Sequence, residues 1–383
     1  MQTLAHPRLM PALAAWALLI QPTGTHAAST DLADVPLAVQ TGVKPNVLFT
    51  LDNSGSMGWG SITGTDAHGE YTSPYDDAVR AGETPPGMGG TTGAKNRRAY
   101  YSPSYNRQYY NPAITYLPPV QFDGAAPGFL ASTGNSVPTA TRIDNYLDPR
   151  LLDLSQECWG TTTPPALPRY NAGDFTQGPN CANAPDAVRN TGYQRYAFYY
   201  RWRGSGAEDG NTTQDNDSDY DHVEIRLSTP TYPKAATRTD CGDATSSTCS
   251  YAQEIQNFAN WFSYYRTRMQ SAKTALGLAF SALDAKSRVG FSTINNNLGQ
   301  DNDSGANFVA LADFGSAQKQ RWYEQLYGIR PTGGTPLVPA LDRSGRYSTS
   351  GSMPGAPGAA ARSDTVPLAC TPNYTILSTD GYW

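Results

Sequence analysis

Residues 46–51 (NVLFTL) form a short apolar run that stops abruptly at a turn of small polar residues, DNSGSMG (52–58). A run of this kind, without polar alternation, reads as a strand buried on both faces, and such strands belong to parallel sheets covered by helices. The carboxyl end of a strand is where α/β sheets place their sites. This one feature therefore predicts an α/β sheet with a functional end, and it fixes where that end lies.

The α/β pattern then lapses. Residues 58–250 are rich in Gly, Pro, Asn and Tyr, show little helical periodicity, and read as a folded, loop-rich insertion of short strands placed after the first strand. Its segment YYSPSYNRQYYNPAITYLPP (100–119) mixes aromatics with turn residues. Two uses of these tyrosines are open: packing a module that lacks an ordinary core, which is the plainer one, or presenting a contact surface beside the site.

Periodicity returns at 252–286, where Ile255, Phe258, Phe262, Tyr265, Met269, Ala272, Leu276, Phe280 and Leu283 recur at three- and four-residue intervals. The spacing predicts one long amphipathic helix, with Arg266, Arg268 and Lys273 off its apolar stripe. RVGFSTI (288–294) and NFVALADF (307–314) read as a strand hairpin, Ser316 opens a helix closed by Gly328, and 331–349 holds a Gly-rich loop followed by a helix start. A small-residue stretch covers 350–361, and NYTILSTDGYW reads as a last strand ending in Ser378-Thr379-Asp380-Gly381. A strand in the middle of a sheet is followed by further α/β units, so residues 251–383 are expected to be the remainder of an α/β domain truncated at its C-terminus.

Three strand-end loops offer oxygen ligands. The first gives Asp52, Ser54 and Ser56 as D-x-S-x-S, the second Thr335 in GGTP, the third Asp380 in STDG. Carboxylates and hydroxyls are hard ligands that suit Mg²⁺ foremost, with Ca²⁺ or Mn²⁺ as alternatives. With five protein ligands, a carboxylate from a partner is the expected sixth. D-x-S-x-S alone also describes a capped helix or an Asx-turn; the metal reading rests on its following an apolar strand and being joined, in order, by the other two loops.

These residues resemble the metal-ion-dependent adhesion site of von Willebrand factor A (VWA) domains. The resemblance implies a Rossmann-like, doubly wound sheet whose metal (Asp52, Ser54, Ser56, Thr335, Asp380) binds ligands rather than transforming them. YNPAITYLPP, the helix FANWFSYYRTRMQSAKTALGLAF, the GGTPL loop and the terminal ILSTDGYW narrow it, since together they resemble the N-terminal half of PilY-type proteins. That family implies an exported type IV pilus assembly factor and adhesin, not an enzyme, with two kinds of partner: minor pilins or other pilus components, and a host or surface ligand carrying an acidic group. It also implies a C-terminal β-propeller with its own calcium site, which these residues do not contain.

The N-terminus supports export. Arg8, an apolar run over 10–20 and small residues before position 28 read as a signal peptide of residues 1–27, and no later stretch has the ~20 apolar residues of a membrane span. The expected location is the periplasm, outer membrane or cell surface. In an oxidising compartment the five cysteines suggest Cys158–Cys181 and Cys241–Cys249 pairs, leaving Cys370 over. A pI near 5.4 and a net charge of −5 argue against nucleic acid. A secreted hydrolase using Asp52 or Asp380 as base is a further alternative, but G-x-S-x-G and H-E-x-x-H are missing and only His68 and His222 follow the signal. A secreted VWA protein unrelated to pili is another. Asp215, Asp217 and Asp219 alternate as in a calcium loop, but Tyr220 and Arg226 stand where such a loop needs Gly and Glu, so a solvated loop is expected; Asp301 and Asp303 read as a hairpin turn.

Overall fold

The computed structural model describes residues 44–58, 60, 98–122, 130–152, 154–155, 197–206, 208, 219–242, 245–295, 307–350, 356 and 371–381. The signal peptide, the Cys158–Cys181 pair, Cys370, Asp215, Asp217, the Asp301/Asp303 turn and nearly all of 350–361 lie outside them.

β1 (Asn46–Leu51) has the bounds read from the sequence, and all six of its residues are buried. The insertion contributes β2 (Val120–Phe122), β3 (Leu130–Ser132), β4 (Thr141–Asp144), β5 (Asp148–Leu152), β6 (Phe198–Trp202), β7 (Tyr220–Glu224), β8 (Thr231–Pro233) and β9 (Thr248–Ser250), paired consecutively into two-stranded antiparallel ladders. β10 (Arg288–Thr293), β11 (Val309–Asp313) and β12 (Asn373–Ser378) join β1 in a four-stranded sheet of order β11-β10-β1-β12. β1 runs parallel to β10 and β12, and β10 pairs antiparallel with β11, as the hairpin reading expects. The sheet is mixed α/β. β12 is its edge among the described strands, with Tyr374 and Ile376 exposed, whereas the resemblance implies a central strand there.

The alternation of β1 explains the layers. Val47, Phe49 and Leu51 face a cluster built with Phe280, Phe291, Trp322, Tyr323 and Leu326. Phe280 stacks on Trp322 at 4.4 Å and meets the edge of Phe49 at 5.5 Å. Leu48 faces the other way, with Leu311 and Tyr347. Gly290 in β10 is required by close approach: a Cβ there would lie 2.9 Å from the Val309 carbonyl oxygen.

The single helix expected over 252–286 is two. α1 (Tyr251–Tyr264) and α2 (Arg268–Ser281) each begin with a capping box, Ser250 with Gln253 and Thr267 with Gln270. In each box the cap side chain accepts from the third backbone N–H while the glutamine accepts from the cap's own N–H. Thr267 thus starts a new helix where the apolar periodicity runs on unbroken. The two halves of the apolar stripe enter different cores: Ile255, Phe258 and Phe262 in one, Met269 and Phe280 in the other. Arg266, Arg268 and Lys273, off the stripe, are nonetheless buried. α3 (Ser316–Gly328) shares the second core, and α4 (Leu337–Thr349) covers the opposite sheet face, where Tyr347 OH accepts from Leu311 N at 3.0 Å.

Among the described residues, eight tyrosines of the insertion are core. Tyr101, Tyr109, Tyr110, Tyr116, Tyr199, Tyr200, Tyr220 and Tyr232 are buried with Phe198 and with α1's Phe258 and Trp261. Their rings point inward rather than forming a contact surface. α1 also replaces missing sheet partners for the loops around it. Asn257 accepts from Tyr116 N (2.8 Å) and donates to Ile114 O (2.8 Å); Asn260 donates to Tyr116 O (3.0 Å) and accepts from Ser136 N (2.9 Å).

The Cys241–Cys249 disulfide is formed, closing a loop with a sequence separation of 8. Loop-closure entropy for so short a loop corresponds to about 2.5 kcal/mol. A Cys241→Ala/Cys249→Ala variant is expected to lose about that much in urea unfolding. A difference under about 0.5 kcal/mol would show that the bridge adds nothing to the protein's stability.

Candidate functional site

Asp52 follows the last residue of β1 and is fully buried; its N–H still donates to Ser378 O of β12 at 2.8 Å, so the ladder extends one residue into the turn. Its Oδ1 accepts from Ser54 N at 2.8 Å, closing an Asx-turn, and its Oδ2 accepts from the Thr379 hydroxyl at 2.7 Å. The turn holds the Ser54 and Ser56 hydroxyls 2.9 Å apart. Ser54 is buried and Ser56 half-buried in the short 3₁₀ turn Gly55–Gly58.

The 331–336 loop is fastened to this turn. Gly55 N donates to Gly333 O at 3.0 Å, and Thr332 N donates to Asn53 O at 2.6 Å. Gly333 has φ +75°, the left-handed region that favours glycine, and a Cβ there would press on the Asn295 side chain at 3.2 Å. Thr335 follows two residues on and is half-buried.

Two asparagines that sequence reasoning passed over hold the loops together. Asn53 Oδ1 accepts from Asn295 N at 2.9 Å while its Nδ2 donates to Asn295 O at 3.2 Å. The Asn295 amide donates in turn to Thr332 O (3.2 Å) and to Gly334 O. The loops after β1, after β10 and before α4 are thereby tied at one end of the sheet. Asn53 lay between the D-x-S-x-S positions, but its partner could not be read from spacing.

Asp380 lies one residue beyond Thr379, at the carboxyl end of β12. It forms a nearly buried ion pair with Arg268, the first residue of α2, at 2.6 Å. α2 packs against the 3₁₀ turn that carries Ser56. Arg268 was the residue least visible in the sequence. The T-x-x-Q box at Thr267 would have marked a helix start there and flagged a cation at its positive end.

The structure thus brings the Asp52, Ser54 and Ser56 turn together with the loop of Thr335 and the strand end of Asp380. The donors are two carboxylates and three hydroxyls, with no group of three or more His, Cys, Asp or Glu able to hold a metal among the described residues. That set fits a hard divalent ion and not zinc. The carboxylates are already committed, Asp52 to a hydroxyl and Asp380 to a guanidinium.

The chain is similar to the type IV pilus biogenesis factor PilY1 of Pseudomonas aeruginosa. It is 29% identical to that of strain UCBPP-PA14 over 93% of this chain and 27% identical to that of strain PAK over 96% of it. It spans about a quarter of the length of these relatives, 24% and 26%. No family model matches the chain, and no solved structure matches it.

Proposed function

We propose that this chain is part of an exported type IV pilus assembly factor and adhesin whose VWA-type site binds a divalent ion, Mg²⁺ foremost, and engages a partner carboxylate through it. The observation that carries the reading is the convergence of the Asp52, Gly333 and Thr379 segments at one sheet end, joined to the similarity to PilY1 along nearly the whole chain. The strand order β11-β10-β1-β12, with D-x-S-x-S leaving an interior strand, supports the VWA form of the sheet.

In this reading Asp52, Ser54, Ser56, Thr335 and Asp380 hold the ion, which supplies an open coordination position to an acidic group. The chain's own work is orientation. The Asx-turn at Asp52 aims both serines, and the Asn53–Asn295 staple fixes the distance to the Thr335 loop. Partners would be minor pilins or other pilus components and a surface ligand with an exposed carboxylate. We read the site as a binder rather than a catalyst because its donors offer no nucleophile with an adjacent base. His222, the histidine among the described residues, is exposed on β7, where it stacks on Tyr200 at 4.7 Å. No helix among the described residues is long and apolar enough to cross a membrane.

The test is thermal unfolding with and without MgCl₂ or MnCl₂, together with piliation of cells carrying the natural full-length protein. An ion at 100 times its Kd adds about 2.7 kcal/mol to the wild type, and Asp52→Ala is expected to remove that gain and reduce surface pili. An Asp52→Ala protein with the same metal-dependent gain and normal piliation would reject the reading.

A further inference from the structure

We propose that Arg268 is a built-in counter-cation of the metal site, which competes with the divalent ion for Asp380 and must withdraw before the ion is bound tightly. This rests on the metal reading above and adds to it a regulator contributed by α2.

Three observations converge on Arg268. It is nearly buried, and its Nη1 lies 2.6 Å from Asp380 Oδ2, a partner that is itself 5% exposed. A guanidinium removed from water needs compensation, and the Asp380 carboxylate supplies it here. It is also the first residue of α2, directly after the Thr267 cap. The positive end of a helix dipole disfavours a cation there, so α2 itself gives Arg268 no reason to sit at this position. Finally, Asp380 follows Thr379, whose hydroxyl bonds Asp52. The guanidinium therefore neutralises one of the two carboxylates that the ion would use.

A divalent ion and a guanidinium cannot share one buried carboxylate without strong mutual repulsion. Loading the site requires Arg268 to leave or to weaken its hold. The chain around Arg268 can carry that change outward. Gln108 Nε2, from the Tyr-rich insertion, donates to Tyr265 O and to Ser271 Oγ, the latter at 2.7 Å, and so grips the α1–α2 junction on both sides of Arg268. Metal occupancy and the seating of the insertion are coupled through this junction.

The test is isothermal titration of MnCl₂ into the full chain, wild type against Arg268→Gln, with folding checked by circular dichroism. Removing the positive charge is expected to tighten Mn²⁺ binding at least tenfold, equivalent to about 1.4 kcal/mol. Equal or weaker binding by Arg268→Gln, where the wild type does bind, overturns the proposal alone: Arg268 would then be indifferent to Asp380 or would position it for the metal. If wild type and variant both fail to bind Mn²⁺, the metal reading falls and this proposal with it. Should Arg268→Gln not fold, Arg268→Met, which also removes the charge but keeps an unbranched side chain, is expected to bind more tightly than wild type. Equal or weaker binding by that variant overturns the proposal as well.

Discussion

Replacing Glu254 with Met is expected to cost about 3 kcal/mol of stability, the largest effect of any single change in the Tyr-rich core. Glu254 is fully buried in α1, where it accepts from the Tyr110 hydroxyl at 2.7 Å and from Arg238 Nη1 at 2.9 Å. Burial raises its carboxyl above the usual range, and the Arg238 charge and the Tyr110 hydroxyl pull it back down. Arg238 is also fully buried at its side chain. Without Glu254 it retains Asp240, at 2.6 and 2.8 Å, and the Pro112 carbonyl. Breaking a buried pair by removing one partner costs about 3–5 kcal/mol because a charge is left uncompensated, and Asp240 places this case at the lower end. Tyr110→Phe, which removes one neutral donor to a charged acceptor, is expected to cost about 1.5–2 kcal/mol. Urea unfolding separates charge from packing: the double variant Glu254→Met/Arg238→Met should be more stable than Glu254→Met alone. A Glu254→Met protein within about 1 kcal/mol of wild type would show that the pair is not what holds α1 in this core.

The two central strands, β1 and β10, were legible because each is short, apolar and bounded by turn residues, and burial of all six residues in each leaves no competing pattern. β1 matches its sequence reading residue for residue. The helix break at Tyr265–Thr267 was hidden for the opposite reason. Apolar periodicity reports that a face is buried but not against what, and here Phe262 and Met269 belong to different cores. The second capping box was the available signal, a local chemical one that outweighs the periodic one. The Tyr-rich segment was ambiguous because tyrosine serves surface and core alike, and its inward use depends on distant partners such as Phe198 and Trp261.

The site divides the same way. The positions of Asp52, Ser54, Ser56, Thr335 and Asp380 come from motifs of a few residues each, and short motifs can be read locally. What joins them cannot. The Asn53–Asn295 staple, the Thr379 hydroxyl on Asp52 and the Arg268–Asp380 pair each span more than 100 residues of sequence. They follow from the sheet order, which brings the ends of β1, β10 and β12 side by side.

A second large effect is expected at the seam between the sheet and the insertion, and it depends on pH. Lys273 of α2 is fully buried; its Nζ donates to Tyr327 O of α3 at 2.8 Å and lies 5.2 Å from the Tyr146 ring, which stacks on Tyr327. Burial pushes the ammonium down to about 7, with Asp144 pulling it back up and Arg330 pushing it further down. In the unfolded chain lysine titrates near about 10.4, so between these values the unfolded state binds the extra proton. The folded-state pKa is the lower one. The burial penalty, about 5 kcal/mol, is therefore fully present below pH 7 and vanishes as pH rises toward 10. Burial also raises the Tyr146 and Tyr327 hydroxyls, which makes stability fall again above about pH 10 and sets the upper limit of the useful window. Urea unfolding of the wild type should show stability rising from pH 7 to 9.5. Lys273→Met should flatten that rise and be the more stable protein at pH 7, by less than the full penalty because the Tyr327 carbonyl loses its donor. A wild-type curve flat over this range, or a Lys273→Met curve rising as steeply, would mean that the buried amine is stabilised as a cation by Tyr146 and Asp144, and that the seam tolerates its charge.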